Sequence, residues 1–583
     1  MKRSWSWTIL LSLLGALVLG ALTAHRLDWP DPLPTETTWA MQAESLARDF
    51  DLRYTREDYD RFVARWGRSP EGLELVSGDG GKTLGFDRAL PYALAVAPFS
   101  RWDPLRGPIT ANALFLLLAA VASALALERR LGDSAPLWIA VAVFASVTFG
   151  FVFRVEPWIF CLAVIAIAFS LIFGREHRSP SELTDVYDVE VREPEKRFWV
   201  RWMVVGGLLA LPALEHPLYL LLLLPAAAGV PELRRREGLV GLAVGAVLVA
   251  SLFLVVGWRA AGVWSPVVLE RLEATSRTGF PEVDFPQADW SEAVERQEAD
   301  RARLGVDTGW RLDWRLWAWN GLYLLGGRNL GLLPYFLPAL FAFLVGGRHP
   351  GRVVLGQAVV LTTLLLCLVY PFGFAGELPS PGNALFLPLF GALWFLPARR
   401  ARLAGLVAVV VVAAPFLWPL WTAPRLSPVS QEGRPAHVGA VAERLLPLEI
   451  TQETLPGIRA FSHERAWIVL VDRSLRPAAG GRCFEIEPGA RASFYLAKKE
   501  PVDSVLLELS GLERTEVRLE GGEAGEVTLW PDGRVGYELR LARYRSSHST
   551  WWSRERHYFY RLTVVPSPKE PSPVSLRIRQ VAP

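Results

Sequence analysis

Residues 234–259 read RRREGLVGLAVGAVLVASLFLVVGWR, and this stretch decides the class of fold. No charged residue lies between Glu237 and Arg259. A helix over 238–257 therefore has the roughly 20 apolar residues that an α-helix needs to cross a bilayer. The arginines at 234–236 orient such a helix with that end in the cytoplasm.

Ten further apolar stretches lie before and after this one. Together with 238–257 they predict about eleven transmembrane helices, so that a polytopic membrane region covers 1–421. Two neighbouring pairs, 136–173 and 202–231, each contain a polar turn with a proline and are also compatible with one broken helix. The ten other predicted spans lie near 5–24, 108–127, 136–153, 157–173, 202–214, 217–231, 330–346, 352–370, 384–398 and 403–421.

The composition of the whole chain agrees with a membrane protein. Of its 583 residues, 51% are hydrophobic and 21% are charged, and the mean hydropathy is +0.23. A soluble domain has about 25% charged residues and does not gather its apolar residues into long runs. The net charge of +3 is too small to indicate nucleic acid. The composition therefore predicts the lipid bilayer as a partner.

Basic residues fall at every second connection between the predicted spans. By the positive-inside rule these connections face the cytoplasm, as does the N-terminus with Lys2 and Arg3. We expect the first helix to be retained, because its signal-peptide cleavage site is weak. The outer side then receives the loops 25–107 and 258–329 and everything after about Thr422. The basic connections are 128–130, 174–201, 234–236, 348–352 and 399–402.

One apolar segment in the first outer loop is too short to span. Leu90–Phe99 is bounded by Pro91 and Pro98 and predicts an interfacial or re-entrant helix.

The pattern changes after about Ala460, from long apolar runs to short alternating ones. Nine segments with period-two alternation predict an antiparallel, all-β sandwich over 460–583. The WPDG sequence at Trp530–Gly533 predicts a hairpin turn. The proline-rich segment 422–459 is predicted to be a connector between the membrane region and the sandwich.

Acidic residues mark three of the predicted outer turns. Glu36 follows the first helix, Glu156 lies in RVEPW, and Glu215 lies beside His216. A charge near the bilayer is costly and is kept mostly where it faces a cavity or a partner. The alternative is that each acid is a solvated loop residue or a helix cap. Basic side chains that are candidates to bind a lipid-linked phosphate are Arg154, His216 and Lys82.

No motif of a soluble enzyme or of a metal site competes with this interpretation. The chain has no Walker loop, dinucleotide fingerprint, HExxH or GxSxG motif. Its cysteines, Cys161, Cys367 and Cys483, show no zinc-ligand spacing. The apolar stretches hold almost no charge, which argues against an ion-coupled transporter. The sequence predicts no cofactor and leaves the use of a divalent metal open.

Three stretches of this chain resemble bacterial GT-C-type membrane glycosyltransferases, a family similar to protein mannosyltransferases and aminoarabinose transferases. Thr35–Tyr54, TETTWAMQAESLARDFDLRY, is similar to their first outer loop, GDEPHYLLIAQSLLRDGDLDL. Glu36 falls on their glutamate, and Trp39 falls on their tyrosine. The other two stretches are GLYLLGGRNLGLLPYFLPALF at 321–341 and GELPSPGNALFLPLFGALWF at 376–395.

The resemblance implies a GT-C fold and a glycosyltransferase in a bacterial inner membrane. The enzyme would move a sugar from a polyprenyl-phosphate donor to an acceptor on the periplasmic face, and the acceptor is an unspecified glycan, lipid or protein. Glu36 would take the proton of the acceptor hydroxyl, and Glu156 would help to hold acceptor or donor. The substrate-binding residues implied are Arg154, His216, Glu215, Lys82, Arg328 and Asn383.

Two positions depart from the family pattern. Thr35 replaces the aspartate before the glutamate, and a threonine hydroxyl is no general base at neutral pH. Ala384 replaces the arginine of the relatives' GNRY and removes a phosphate contact. An alternative function follows, in which a catalytically degenerate relative binds lipid-linked sugar or glycan as the partner of another membrane enzyme.

Overall fold

The computed structural model of the protein holds a helical part and a C-terminal part made of β-strands. The chain divides into two compact units: Met1–Val294 with Tyr335–Leu366 and Ala384–Arg425, and Glu295–Pro334 with Cys367–Asn383 and Leu426–Pro583. The structure describes residues 5–23, 34–66, 70, 73–76, 83–174, 198–230, 235–261, 274–275, 314–347, 350–370, 374, 382–422, 424, 440–447, 460–463, 466–470, 475–477, 484–486, 488–489, 492–498, 502–512, 517–520, 522–531, 533–541, 545–547, 557–567 and 569–582.

Helices make up most of the first unit and also occur in the second, because a helix satisfies the backbone hydrogen bonds of an apolar run within the run itself. A 3₁₀ turn at Pro217–Leu222 separates two of the helices. In chain order the helices are α1 (Trp5–Leu22), α2 (Pro34–Arg48), α3 (Arg56–Trp66), α4 (Leu90–Ser100), α5 (Arg106–Leu131), α6 (Ser134–Phe144), α7 (Thr148–Phe151), α8 (Trp158–Phe173), α9 (Phe198–Glu215), α10 (Leu223–Ala228), α11 (Arg235–Ala261), α12 (Trp314–Gly326), α13 (Leu332–Tyr335), α14 (Leu337–Leu344), α15 (Pro350–Val369), α16 (Phe386–Leu393), α17 (Leu403–Thr422) and α18 (Ala440–Leu445).

Six of the described helices are long and apolar enough to cross a membrane, namely α1, α5, α9, α11, α15 and α17. They are compatible with a multi-pass membrane protein. The other predicted spans are shorter or interrupted. Among them, α6, α8 and α16 have 11, 16 and 8 residues. The count of about eleven spans therefore stays a prediction.

Prolines explain two of the interruptions. The predicted span 330–346 is divided into α13 and α14 at Phe336, between Pro334 and Pro338. The predicted span 217–231 begins with the 3₁₀ turn, whose first residue is Pro217. Proline has no N–H donor, and its ring collides with the preceding helical turn. An apolar run that contains proline is therefore a poor guide to helix length.

Helices α9 and α11 touch through glycine. A Cβ atom added at Gly206 would lie 2.0 Å from the Leu242 carbonyl oxygen, and one at Gly245 would lie 1.8 Å from the Met203 carbonyl oxygen. Gly241 and Gly245 are four positions apart, which places them on one face of α11. Small residues at this spacing let two apolar helices approach until their backbones are in contact.

The segment after α1 folds around a small core of its own. Here α2 and α3 pack with the strands β1 (Glu74–Val76) and β2 (Gly85–Phe86). A third strand, β3 (Ala274–Thr275), pairs antiparallel with β1. Since β1 belongs to the loop 25–107 and β3 to the loop 258–329, the paired strands of these two predicted outer loops lie on the same side of any membrane. The core residues are Met41, Tyr54, Phe62, Leu73, Leu75 and Phe86.

Two antiparallel sheets form the C-terminal part. In chain order their strands are β4 (Ala460–His463), β5 (Ala466–Leu470), β6 (Leu475–Pro477), β7 (Phe484–Ile486), β8 (Ala492–Lys498), β9 (Ser504–Ser510), β10 (Val517–Glu520), β11 (Glu523–Leu529), β12 (Val535–Arg540), β13 (Arg545–Ser547), β14 (His557–Pro566) and β15 (Val574–Ala582). One sheet has the order β10-β14-β8-β5-β4, with β13 paired to β14, and the other has the order β11-β12-β9-β15-β7-β6. Each of the nine predicted strand segments is confirmed as a strand.

The two sheets share one hydrophobic core. Alternate residues of a strand point to the same face, so the period-two pattern decides which side chains enter the core. The predicted hairpin at Trp530–Gly533 is confirmed, because β11 pairs with β12 across it and the Gly533 N–H donates to the Trp530 carbonyl oxygen at 3.1 Å. Buried alternate residues of β9 and β14 are Val505, Leu507, Leu509, Tyr560, Leu562 and Val564.

Candidate functional site

One peptide group joins three parts of the first unit. The amide Nδ2 of Asn112, in α5, donates a hydrogen bond to the carbonyl oxygen of Arg154 at 2.6 Å. The N–H of Val155, in the same peptide group, donates to Oε1 of Glu36, in α2, at 3.2 Å. We call these two hydrogen bonds the 154–155 clamp. They fix the turn that carries Arg154 and Glu156 against both helices.

The local sequence explains how these elements meet. Glu36 lies in the first turn of α2, where the positive end of the helix dipole favours a carboxylate. The turn ends at Pro157, just before α8 begins. Gly107 lets the start of α5 approach the end of α4, since a Cβ atom there would lie 2.1 Å from the Phe99 carbonyl oxygen. A larger residue at 107 would push α5, and with it Asn112, away from α4.

A tyrosine lies beside the clamp. The hydroxyl oxygen of Tyr92, on the buried face of α4, accepts a hydrogen bond from Asn112 Nδ2 at 3.3 Å. The carboxylates of Glu36, Glu156 and Glu215 all act electrostatically on this hydroxyl. Tyr92 is therefore within electrostatic range of the acids of the three predicted outer turns.

The charged groups at the clamp are removed from solvent. Glu36 and Arg154 have no exposed surface, and Glu156 is 4% exposed. Buried charges persist where opposite charges and hydrogen bonds compensate for lost water. In chemical terms, a carboxylate can accept a proton, and a guanidinium can bind a phosphate through paired N–H donors.

Residues in and near β1 form hydrogen bonds with side chains of α2. Thr38 Oγ1 accepts a hydrogen bond from the Glu74 N–H at 2.9 Å, and Gln42 Nε2 donates to the Arg88 carbonyl oxygen at 3.1 Å. Arg88 also forms an ion pair with Glu74 at 2.8 Å. These contacts fix the position of α2 and therefore of Glu36.

His216 follows Glu215 at the end of α9. Burial lowers the pKa of His216 from its ordinary value of 6.5 to about 4. The imidazole is therefore uncharged at neutral pH. A neutral imidazole can bind substrate through hydrogen bonds but brings no positive charge, so Arg154 is the stronger candidate for a phosphate contact.

The structure does not test three other predicted substrate-binding residues at this site. Lys82 falls outside the described residues. Arg328 belongs to the second unit, where its Nε donates to the Leu446 carbonyl oxygen at 3.2 Å and its N–H to the Pro447 carbonyl oxygen at 2.9 Å. Asn383, also in the second unit, is 1% exposed. The roles of all three stay predictions.

Sequence reasoning missed Tyr92 and Asn112. Both lie in apolar segments and carry no charge, so hydropathy and charge counts pass over them. The signal that was present is a lone asparagine near the start of a long apolar helix, since a polar side chain there needs partners. Tyr92 offered no such signal, because a tyrosine in an apolar segment fits an ordinary core position.

Among the residues that the structure describes, no group of three or more histidine, cysteine, aspartate and glutamate side chains is placed to hold a metal ion. No family model matches the chain, and no curated protein is found to be similar to it.

Proposed function

We propose that this chain is a multi-pass membrane glycosyltransferase of the GT-C type, which moves a sugar from a polyprenyl-phosphate donor to an acceptor hydroxyl. The observation that carries the proposal is the convergence of Glu36, Glu156 and Arg154 at the 154–155 clamp. Ionisable groups buried together in a membrane protein commonly mark a substrate path. The resemblance of Thr35–Tyr54 to the first outer loop of that family supports the same reaction.

The reaction requires a base and a group that stabilises the leaving phosphate. Glu36 takes the proton of the acceptor hydroxyl while the acceptor oxygen bonds to the anomeric carbon of the sugar. The bond from that carbon to the phosphate oxygen breaks, and polyprenyl phosphate leaves. Arg154 binds the negative charge of the leaving phosphate, and Glu156 on the same turn orients donor or acceptor.

The membrane topology that suits this reaction has about eleven spans, in a bacterial inner membrane. The N-terminus is cytoplasmic, and the acids of the site and the C-terminal β-sheet region lie on the periplasmic side. The basic connections at every second turn support this orientation. The remaining candidates for contacts to sugar, phosphate or acceptor are Glu215, His216, Lys82, Arg328 and Asn383.

The substitution Glu36→Gln tests the base with little disturbance of the fold. Glutamine keeps an Oε1 that can accept the Val155 N–H, but it cannot take up a proton at neutral pH. We expect the purified variant to fold as the wild type does. Sugar transfer from short-chain polyprenyl-phosphate sugars should fall by about 100-fold or more.

Glu44→Gln is a matched control for this experiment. Glu44 lies in the same helix, but its carboxylate pairs with Arg48 at 2.9 Å and with Arg65 at 2.8 Å instead of contacting the clamp. This variant should transfer sugar at nearly the wild-type rate. Wild-type turnover by Glu36→Gln would show that Glu36 is not the base.

The second candidate is a degenerate relative that binds the lipid-linked sugar without turnover. It is favoured by Thr35 and by Ala384, a side chain with no exposed surface and no group for phosphate. It predicts saturable binding of polyprenyl-phosphate sugar by the wild-type chain. Turnover would then be absent in the wild type as well as in Glu36→Gln.

A further inference from the structure

We propose that the Tyr92 hydroxyl and the Oδ1 atom of Asn112 form a subsite that binds one hydroxyl group of a sugar next to Glu36. The inference rests on the proposed function and deepens it, because it names a contact that selects a neutral hydroxyl of the substrate. We call this pair of atoms the hydroxyl subsite.

Asn112 carries a buried acceptor that the protein leaves unused. Its side chain has no exposed surface, and its Oδ1 has no hydrogen-bond partner among the described residues. The amide orientation is fixed, because reversing it would place Oδ1 against the Arg154 carbonyl oxygen, which now accepts from Nδ2 at 2.6 Å. A buried acceptor without a partner is costly, so a ligand or water that satisfies it is stabilised there.

Tyr92 provides a donor beside this acceptor. Its oxygen accepts from Asn112 Nδ2 at 3.3 Å, and within the described part of the chain no acceptor is found for its own O–H proton. The ring packs edge-on against Trp39, with 5.6 Å between centroids, and against Phe160, with 6.3 Å. These contacts fix the ring and hence the position of the hydroxyl.

The chemistry of the pair selects an alcohol. A ligand hydroxyl can donate to Asn112 Oδ1 and at the same time accept from the Tyr92 O–H. A phosphate or carboxylate oxygen has no proton for Oδ1, and the carboxylates that act on Tyr92 would repel it. An ammonium group has no lone pair for the Tyr92 proton.

The distance to the proposed base suits a sugar. Asn112 Nδ2 and Glu36 Oε1 bond to opposite ends of one peptide group, so that they are no more than about 8 Å apart. A single pyranose ring spans such a distance. The proposal places one hydroxyl of a sugar at the subsite and the reacting atoms at Glu36. Because Glu36, Tyr92 and Asn112 have no exposed surface, binding requires the helices that carry them to move apart.

The substitution Tyr92→Phe removes the hydroxyl and leaves the ring contacts in place. The control is Tyr219→Phe, because Tyr219 is equally buried and its hydroxyl already donates to the Leu385 carbonyl oxygen at 2.7 Å. The full chain in detergent is titrated with short-chain polyprenyl phosphates that carry glucose, mannose, galactose or arabinose. We expect Tyr92→Phe to weaken binding of the preferred probe by about 3- to 10-fold, and Tyr219→Phe to leave it unchanged.

Deoxygenated probes identify the hydroxyl and do not depend on the folding of a variant. The wild-type chain should lose a similar factor for one singly deoxygenated form of the preferred sugar, and Tyr92→Phe should lose nothing further with that form. Coupling seen with the polyprenyl-phosphate probe assigns the hydroxyl to the donor. Coupling seen only with methyl glycosides of the same sugars assigns it to the acceptor.

Three outcomes would contradict these proposals, and each identifies which proposal is wrong. If the wild type binds the probes but no deoxygenated form couples to Tyr92→Phe, then water alone fills the subsite and the inference is wrong. If Tyr92→Phe and Tyr219→Phe weaken binding equally, the effect is one of packing, and the inference is wrong as well. If the wild type binds none of the probes, the proposed function itself is wrong.

Discussion

Glu36 has two roles at the scale of the single residue, and one substitution separates them. Its Oε1 accepts the Val155 N–H, and its charge supplies the proposed base. Glu36→Ala would remove both, and the loss of a hydrogen bond to a charged group costs about 1.5–3 kcal/mol. Glu36→Gln keeps the first role and removes the second. Only a substitution that keeps the shape of the side chain therefore separates the hydrogen bond of Glu36 from its charge.

The buried His216 predicts a dependence of stability on pH. Burial lowers its folded-state pKa to about 4, whereas the unfolded chain keeps the ordinary value of 6.5. Between these values the unfolded state binds more protons, so the free energy of unfolding falls as the pH falls below 6.5. At pH 5 the loss from this residue is about 2 kcal/mol.

Thermal unfolding in detergent at pH 7.5 and pH 5 measures this loss. His216→Gln serves as the variant without a titrating group, and it should lose less stability than the wild type on acidification. Parallel losses in the two proteins would mean that His216 titrates near its ordinary pKa in the folded state.

Charge made part of the site predictable from the sequence. Glu36, Arg154 and Glu156 are candidates because charged residues are rare near apolar runs, and the Val155 N–H joins Glu36 of α2 to the turn that carries the other two. The contact that joins them was not predictable, because it runs through the main chain of Arg154 and Val155. The sequence did not predict Asn112 as a site residue, because a single amide barely changes the hydropathy of α5.

At the scale of elements, α9 and α11 show how apolar helices are held without a hydrophobic driving force between them. In lipid, close packing replaces that force, and glycine allows the closest approach. The backbone carbonyl oxygens of Leu242 and Met203 occupy the space that side chains at Gly206 and Gly245 would need. The pair therefore tolerates no Cβ at these two contacts.

The variant Gly245→Ala tests this helix contact. Its Cβ would overlap the Met203 carbonyl oxygen and force α9 and α11 apart, which should lower the free energy of unfolding by about 1–3 kcal/mol. Gly15→Ala is the control, since a Cβ at Gly15 meets nothing within 4 Å. Thermal unfolding of both variants in detergent gives the comparison, and equal behaviour would show that the helices separate without strain.

The sequence predicted strands better than spans. A strand of the β-sheet region is specified by local alternation, as in Val505, Leu507 and Leu509, and all nine predicted segments are strands. The short strands β4, β6 and β13 were not predicted, because runs of three or four residues are too short to show a period. A span depends on unbroken helix, and Pro334 and Pro338 interrupt an apolar run without changing its hydropathy.

At the scale of the whole molecule, the parity of the span count decides where the two ends of the chain lie. The six long helices alone would return the C-terminus to the side of the N-terminus. About eleven spans place the β-sheet region opposite to Lys2 and Arg3. The five other predicted spans, which contain the shorter helices α6–α7, α8, α10, α13–α14 and α16, therefore decide which compartment the β-sheet region faces.

Reporter fusions at the C-terminus test this parity in a Gram-negative host. With eleven spans, alkaline phosphatase fused after Pro583 should be active and a fluorescent protein fused there should stay dark. The same reporters fused after Arg130, on a predicted cytoplasmic connection, should give the opposite result. A fluorescent C-terminal fusion would exclude an odd number of spans.

The 154–155 clamp also bears on how distant relatives of this protein can be recognised. Both of its hydrogen bonds end on main-chain atoms, which every residue except proline supplies in full. The side chains of the turn can therefore change in evolution while the clamp persists. Two proteins with this architecture need to share only the acid and the amide that bind the turn, which are Glu36 and Asn112 here. These two residues lie 76 positions apart in the sequence, too far to form a local motif.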